Sequence, residues 1–147
     1  MKIAMASDHG ALDLKNEIKA WLTEQGHEVT DFGANTPDSC DYADFVEPAC
    51  RAVAEGKADR GIVMCTTGIG ASITANKVRG IRCALCSEPW SAEMTRRHNN
   101  ANVLAIGAAV VGPLLARQIT AAFLTYEFEG GRHQRRIDKI AAVEDRR

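Results

Sequence analysis

The residues from Cys65 to Gly70, with the sequence CTTGIG, are the strongest candidates for chemistry in this chain. An apolar run at residues 62–64 precedes them, and a helix-compatible run, ASITANKV, follows. A cysteine at the end of a strand, beside a glycine-containing turn that leads into a helix, faces backbone N–H groups at the positive end of that helix. Such a position favours a thiolate and binds an anion.

Pattern alone leaves several interpretations of CTTGIG open. In the structural one, the glycines relieve backbone strain in a tight connection, and Cys65 is a small buried hydrophobe. A phosphatase loop is excluded, because it requires arginine at position 71, where Ala71 stands. A dinucleotide-binding GxGxxG motif requires glycine or alanine at position 73, and Ile73 weakens that interpretation. A flavin-phosphate loop resembling that of flavodoxin is compatible with TTG, but it would be expected after the first strand.

Two histidines and an aspartate are further candidates. Asp8 and His9 follow the first predicted strand, where they could handle sugar hydroxyls or an anion, or simply cap a turn. His98 lies in RRHNNAN, either as an acid or base or as part of a polar helix end. The sequence context of each histidine leaves both interpretations open.

Two arginines near the end of the chain are candidate phosphate ligands. GGRHQRRIDKI places Arg132 and Arg136 four residues apart, and hence on one face of a predicted helix. Two guanidinium groups on one face suit a phosphate, whereas the structural alternative is a solvated basic face. With Ile137 predicted to be buried, Arg136 flanks the packed stripe and Arg132 lies one turn earlier.

Length and composition predict one domain. The 147 residues, 46% of them hydrophobic, are enough for one core. A formal charge of −1 gives no general attraction to nucleic acid or to an anionic membrane. Neither a membrane-spanning segment nor a signal peptide is apparent. We therefore expect a single cytoplasmic domain over residues 1–147.

The five cysteines, at positions 40, 50, 65, 83 and 86, are expected to be reduced thiols. Their odd number and core-like context argue against a disulfide scaffold. Cys83 and Cys86 form a CxxC within a strand-like run, where two thiols three residues apart point to opposite faces. With no second CxxC and no HxxxH, no metal site is predicted.

Short apolar runs alternate with longer segments of helical period, a pattern typical of a parallel sheet covered by helices. Five strands are predicted, over residues 3–7, 28–32, 61–65, 82–86 and 103–106. The helical segments bury four apolar stripes: Leu14, Ile18, Trp21 and Leu22; Val46, Ala49, Cys50 and Val53; Leu115, Ile119, Ala122, Phe123 and Tyr126; and Ile137, Ile140 and Ala141. Pro48 fits only in the first turn of its helix. Because ligands gather beyond the carboxyl ends of parallel strands, the segments after strands one, three and four, including His98 and Asn99, are expected to converge on one crevice.

Three stretches together resemble a known family: SDH after the first strand, CTTGIGASITANKVRGIRCALCSEPWSAEMTRRHNNANVLAIG in the middle, and EGGRHQRRIDKI near the end. In this order they resemble the type B ribose-5-phosphate isomerases, within the wider family that includes the galactose-6-phosphate isomerase subunits. The resemblance runs along nearly the whole chain. It implies a Rossmann-like α/β three-layer sandwich that forms a homodimer, sometimes paired into tetramers, with active sites across the dimer interface and no metal or organic cofactor.

The resemblance also implies a reaction, the reversible conversion of D-ribose 5-phosphate to D-ribulose 5-phosphate in the non-oxidative pentose phosphate pathway. Cys65 matches the family's base, which removes the proton next to the carbonyl and gives an enediolate. His98 matches the ring-opening acid or base, and Thr67 and Asp8 lie where the family assists at the ring oxygens. The residues matched to substrate binding are His9, Arg132 and Arg136 for phosphate, Asn99 for sugar hydroxyls, and Thr66, Gly68, Ile69 and Gly70 in the loop. The C-terminal helix, about residues 132–145, is expected to take part in dimer and phosphate contacts.

Three departures from the family pattern bear on the substrate. Ala109 stands where many relatives carry an arginine that helps to bind phosphate, a contact worth roughly 1.5–3 kcal/mol. Thr66 stands where glycine is common, and Leu12 where a bulky aromatic often follows the DH pair. A related phosphorylated or free aldose is therefore the alternative isomerase substrate. The alternative from another class is a non-catalytic flavodoxin-like module that binds flavin or phosphate.

Overall fold

The computed structural model describes residues 1–146, which form a five-stranded, all-parallel sheet flanked by helices on both faces. The strands are β1 (Lys2–Ser7), β2 (Glu28–Asp31), β3 (Arg60–Cys65), β4 (Cys83–Leu85) and β5 (Val103–Gly107). The helices are α1 (Leu12–Glu24), α2 (Tyr42–Ala54), α3 (Ile69–Ala75), α4 (Pro89–Asn99), α5 (Pro113–Thr125) and α6 (Arg132–Glu144), and a 3-10 turn at His9–Ala11 precedes α1. The predicted α/β three-layer architecture and its five strands are confirmed.

The order of the strands creates a natural ligand crevice. Across the sheet the order is β2-β1-β3-β5-β4. The chain moves outward from β1 to β2 and then returns to the other side of β1 as β3, so its direction reverses between β1 and β3. Open α/β sheets bind ligands beyond the strand ends at such a switch point. The flavodoxin-like order is 2-1-3-4-5, so the flavodoxin-like alternative is wrong in its topology, because β5 lies between β3 and β4 here.

Two apolar layers cover the sheet, and the alternation along β3 shows how one strand serves both. Ile62 and Met64 pack into the layer that contains residues of α1 and α5, whereas Val63 and Cys65 pack into the layer that contains residues of α2 and α3. This is the two-residue period of a strand that is buried on both faces. Within residues 1–146, no helix has both the length and the apolar composition needed to cross a membrane.

Three expectations about the helices are wrong. Pro48 is the seventh residue of α2 instead of lying in its first turn, and packing of the buried face of α2 holds the helix together despite the missing N–H. Tyr126 lies just beyond the end of α5 and is exposed, because the chain turns away there. On α6 only Ile137 of the predicted stripe is buried. Ile140 and Ala141 are exposed because they line an open groove of about 480 Å³.

Candidate active site

Cys65 lies at the carboxyl edge of the sheet, in the crevice beside the switch point. It is the last residue of β3, and only 4% of its surface is exposed. The turn that follows is fixed to the residues after β5. Cys65 O accepts a hydrogen bond from Ala108 N at 3.0 Å, and Thr66 O accepts one from Ala109 N at 2.9 Å. The position of the thiol is therefore set by the sheet and not by a mobile loop.

Glycines let the segments around this turn approach each other closely. Gly68 has a φ of +76°, and a β-carbon there would lie 2.8 Å from the backbone of β5. A β-carbon on Gly10, in the loop after β1, would lie 2.4 Å from Thr66 Oγ1. Within the turn, Thr67 Oγ1 accepts a hydrogen bond from Ile69 N at 3.3 Å. One N–H group of the predicted anion cradle is therefore already bound by a threonine side chain.

The end of β1 brings an unpaired carboxylate oxygen to the same crevice. Ser7 pairs with Met64 and shares its face of the sheet, so Asp8, directly after β1, is the residue that lies beside Cys65. Ser7 Oγ and Asp8 Oδ1 are buried and have no hydrogen-bond partner within residues 1–146. Buried polar atoms are nearly always hydrogen-bonded in proteins, so the unpaired carboxylate oxygen of Asp8 is a candidate acceptor for a ligand. We call Ser7–His9 together with Cys65–Gly70 the thiol site.

The loop between β2 and α2 supplies two residues that the sequence analysis missed. His9 Nδ1 accepts a hydrogen bond from Cys40 N at 3.2 Å. A nitrogen that accepts carries no proton, so the neutral ring presents Nε2–H. Tyr42, at the start of α2, lies against Gly70, where its ring occupies the space of a β-carbon. Residues in such irregular loops have no periodic signal that could have placed them at the site.

A second group of residues forms where the end of α4 meets the beginning of α6. The rings of His98 and His133 stack, with centroids 4.2 Å apart and an angle of 10° between their planes. Glu129 Oε2 lies 3.8 Å from His98 Nε2 and 3.7 Å from His133 Nε2. Arg97 binds the other carboxylate oxygen at 2.5 Å. We call His98, Glu129 and His133 the histidine cluster.

Positive charge surrounds the histidine cluster. Burial lowers the pKa of His133, and the charges of His98, Arg132 and Arg136 lower it further. Both arginines are exposed on α6, as is Asn99 at the end of α4. The two arginines predicted to bind phosphate therefore lie close to the pair formed by His98 and His133. His133, which lies between the two chosen arginines in sequence, was missed.

The thiol site and the histidine cluster lie at opposite edges of the sheet. α4 follows β4, runs back along the sheet and ends just before β5 begins. β5 starts at Val103, which pairs with Gly61 near the amino end of β3, whereas Cys65 is at the carboxyl end. Four strand residues span about 13 Å, well beyond hydrogen-bond reach. The expectation that His98 and Asn99 converge with Cys65 within one chain is therefore wrong, because α4 carries them back to the amino edge.

The histidine cluster has the composition of a metal site but not its geometry. The candidate ligand atoms of its three residues lie within 4.8 Å of one another. The lone pair of an imidazole nitrogen lies in the plane of its ring, and the two stacked planes are nearly parallel, so both rings cannot direct a lone pair at one ion in a tetrahedral site. Arg97 also competes for Glu129. The absence of a metal in the functional protein stays a prediction.

Comparison with known proteins identifies the family. Residues 3–140 match the Ribose/Galactose Isomerase family model. Ribose-5-phosphate isomerase B of Escherichia coli is 49% identical, over 99% of this chain and 98% of the relative. D-erythrulose-4-phosphate isomerase of Pectobacterium atrosepticum is 44% identical, over 98% of this chain and 95% of the relative.

Solved structures agree with these relatives. Ribose-5-phosphate isomerase B of Clostridium thermocellum is 50% identical and superimposes with a TM-score of 0.98 over 99% of both chains. Ribose-5-phosphate isomerase B of Mycoplasma genitalium with bound ribulose-5-phosphate is 41% identical, with a TM-score of 0.94 over 98% of this chain and 96% of that chain. The chain therefore belongs to the ribose/galactose isomerase family and is an aldose–ketose isomerase of sugar phosphates.

Proposed function

We propose that this protein interconverts D-ribose 5-phosphate and D-ribulose 5-phosphate, a step of the non-oxidative pentose phosphate pathway. The observation that carries the proposal is the buried Cys65 thiol at the end of β3, together with the unpaired carboxylate oxygen of Asp8 at the end of the neighbouring strand β1. A base and an acceptor for sugar hydroxyls thus stand together, as proton transfer between adjacent sugar carbons requires. Relatives named for ribose 5-phosphate support the choice of substrate.

In the proposed reaction Cys65, as a thiolate, removes the proton from C2 of the open-chain aldose and returns it to C1. Loss of the C2 proton gives an enediolate, and the O2 proton passes to O1 so that C2–O2 becomes the ketose carbonyl. Thr67 Oγ1 accepts its hydrogen bond from Ile69 N, which leaves the hydroxyl hydrogen of Thr67 to donate to the developing negative charge. Ring opening comes first: His98 moves a proton at the ring oxygen, and Asp8 accepts a hydrogen bond from a sugar hydroxyl.

Phosphate binding orients the sugar in this proposal. His9 offers Nε2–H, and Arg132 and Arg136 offer two guanidinium groups one helical turn apart. Asn99 binds a sugar hydroxyl, and the turn from Thr66 to Gly70 surrounds the reacting carbons. Fixing the distant phosphate holds the reacting carbons against the base, which lowers the entropic part of the barrier.

We infer that two copies of the chain form a homodimer and share each active site. One copy supplies the thiol site, and the other supplies the histidine cluster with Arg132 and Arg136. The separation of Cys65 from His98 by about the length of β3 supports this arrangement, because one chain cannot place both groups on one sugar. Exposed Ile140 and Val143, each about half accessible on α6, offer apolar surface for such an interface.

The direct test is to follow ketose formation from ribose 5-phosphate with the wild type and with Cys65→Ala. We expect the variant to lose at least about 100-fold in kcat, because it lacks the base. Cys83→Ala is the matched control, since Cys83 lies in β4 away from the turn, and it should keep its activity. Undiminished turnover by Cys65→Ala would exclude the assigned base. A higher kcat/KM for the four-carbon D-erythrulose 4-phosphate, the substrate named for one relative, would replace the proposed substrate.

A further inference from the structure

We propose that Glu129 is a positioning residue: its carboxylate holds the His98 and His133 rings side by side and retains on the pair the single proton that His98 exchanges with the sugar. The role of His98 rests on the proposed function. The arrangement of Glu129 and the two rings does not depend on the identity of the substrate, and it can be tested without one.

Glu129 is anchored although it lies in the irregular segment between α5 and α6. Its Oε1 accepts a hydrogen bond from Arg97 Nε at 2.5 Å and forms an ion pair with a terminal nitrogen of Arg97 at the same distance. Its backbone N–H donates to Arg97 O at 3.0 Å. Arg97 is itself fixed by Glu93 at 2.7 Å, one turn earlier on α4. These contacts occupy one carboxylate oxygen of Glu129 and aim the other, Oε2, at the imidazoles.

The free oxygen acts equally on both rings. Its distances of 3.8 Å to His98 Nε2 and 3.7 Å to His133 Nε2 are too long for direct hydrogen bonds but within ion-pair range. Stacked rings with centroids 4.2 Å apart cannot both be cationic without strong repulsion. A positive charge on one ring therefore disfavours a second on the other, and the carboxylate lies at nearly the same distance from both rings.

The other charges that face the two rings are mainly positive, so within residues 1–146 only Glu129 offers a negative charge that favours a proton on them. α4 contributes Arg97 and Glu93, which largely cancel each other, and α6 contributes Arg132 and Arg136. Burial and the neighbouring cations lower the pKa of His133, whereas the charge of Glu129 opposes them. The hydrogen bond from Arg97 in turn lowers the pKa of Glu129, so its carboxylate stays charged. Without that negative charge the pair would lose its proton at a lower pH.

The test uses three variants of the full-length protein. Glu129→Gln keeps the shape and removes the charge, while Glu129→Asp keeps the charge. Glu93→Gln is the matched control, because Glu93 shares Arg97 with Glu129 but forms no ion pair with either histidine within residues 1–146. The titration of the His133 ring is followed by NMR without substrate, and the pH profiles of kcat and KM are measured with ribose 5-phosphate.

In Glu129→Gln we expect the His133 titration and the alkaline limb of kcat to move to lower pH by about 0.5–1 pH unit, as removal of a charge about 4 Å away requires. On the alkaline limb at pH 7.5 that shift corresponds to a fall in kcat of about three- to tenfold, while KM should change less than about threefold. Glu129→Asp should titrate like the wild type, and Glu93→Gln should move the titration much less than Glu129→Gln, because Glu93 pairs with Arg97 and not with the rings.

An unshifted His133 titration in Glu129→Gln would overturn the inference, and so would an equal shift in Glu93→Gln. If Glu129→Gln does not fold, a wild-type titration in Glu129→Asp supports the inference and a lowered one overturns it. A wild type that does not turn over ribose 5-phosphate would refute the proposed function. In that case the substrate-free titration still decides the role of Glu129.

Discussion

The proposed sharing of active sites between two subunits makes a quantitative prediction about mixtures of two inactive variants. Cys65→Ala damages the thiol site, and His98→Ala damages the histidine cluster. When equal amounts exchange subunits at random, about half of the dimers contain one chain of each kind. In each mixed dimer one site carries both changes, and the other combines an intact Cys65 with an intact His98.

The mixture should therefore recover about one quarter of the wild-type activity, since half of the dimers carry one intact site out of two. Each parent should retain no more than about 1% of the wild-type rate, because removing an acid or base costs about 100-fold or more. The recovered activity thus stands well above the background. The assay is ketose formation after dilution-driven exchange, with the mixed dimer quantified by native mass spectrometry.

A second mixture serves as the control for recovery of activity that does not depend on sharing of sites between subunits. Cys65→Ala combined with Asp8→Asn should recover nothing, because both changes damage the thiol site and each site of the mixed dimer inherits one of them. If the Cys65→Ala and His98→Ala mixture stays at the parental rate although mixed dimers are present, each site is complete within one chain. That result would refute the argument that Cys65 and His98 of one chain are too far apart, near opposite ends of β3, to act on one sugar.

Three further predictions concern the turn, the phosphate and the thiols. Gly68→Ala should lower the free energy of unfolding by about 1–3 kcal/mol more than Gly80→Ala in urea titrations, because both positions have positive φ but a β-carbon meets backbone only at Gly68; equal losses would contradict the close approach. Ala109→Arg should lower the KM for ribose 5-phosphate roughly tenfold by adding a charge-assisted hydrogen bond, and should not change that for free ribose; an unchanged KM for the phosphate would mean that position 109 does not reach it. Iodoacetamide at pH 8 should leave Cys50 and Cys86 unmodified in the native protein, since burial raises their pKa to about 12 and about 11; rapid labelling, read by peptide mass, would contradict their burial.

Much of the fold follows from local periodicity, because strands and helices bury residues at different spacings. All five strands could be predicted within one or two residues of their ends. The order of the strands could not, since pairing depends on packing between distant segments and not on local pattern. The insertion of β5 between β3 and β4 is one such feature, and it turns α4 into the helix that carries His98 away from Cys65.

Lys15 illustrates a part of the site's support that the sequence concealed. A lysine in an amphipathic helix normally marks the solvent side, yet its side chain is fully buried and donates to Asp31 at 2.6 Å and to Ala34 O at 2.7 Å. Burial alone would raise the pKa of Asp31, but hydrogen bonds from Lys15, Gly33 N and a second lysine outweigh it and lower that pKa. In the same loop, Gly33 O accepts a hydrogen bond from Ser7 N at 2.6 Å. The buried ion pair therefore supports the strand end that carries the thiol site.

The two edges of the sheet have complementary chemical needs, which is a reason for them to meet on one sugar phosphate. In the proposed mechanism the Cys65 thiol of the thiol site becomes an anion, so this site gains from nearby positive charge. The histidine cluster stands beside Arg132 and Arg136, whose charges already lower the pKa of His133, so it gains from a nearby anion. A substrate phosphate bound between the edges of two subunits would offset the positive charge around the histidine cluster. The arginines of that cluster would in turn favour the thiolate of Cys65. Binding of the correct substrate would then itself shift both groups toward the protonation states that the reaction needs.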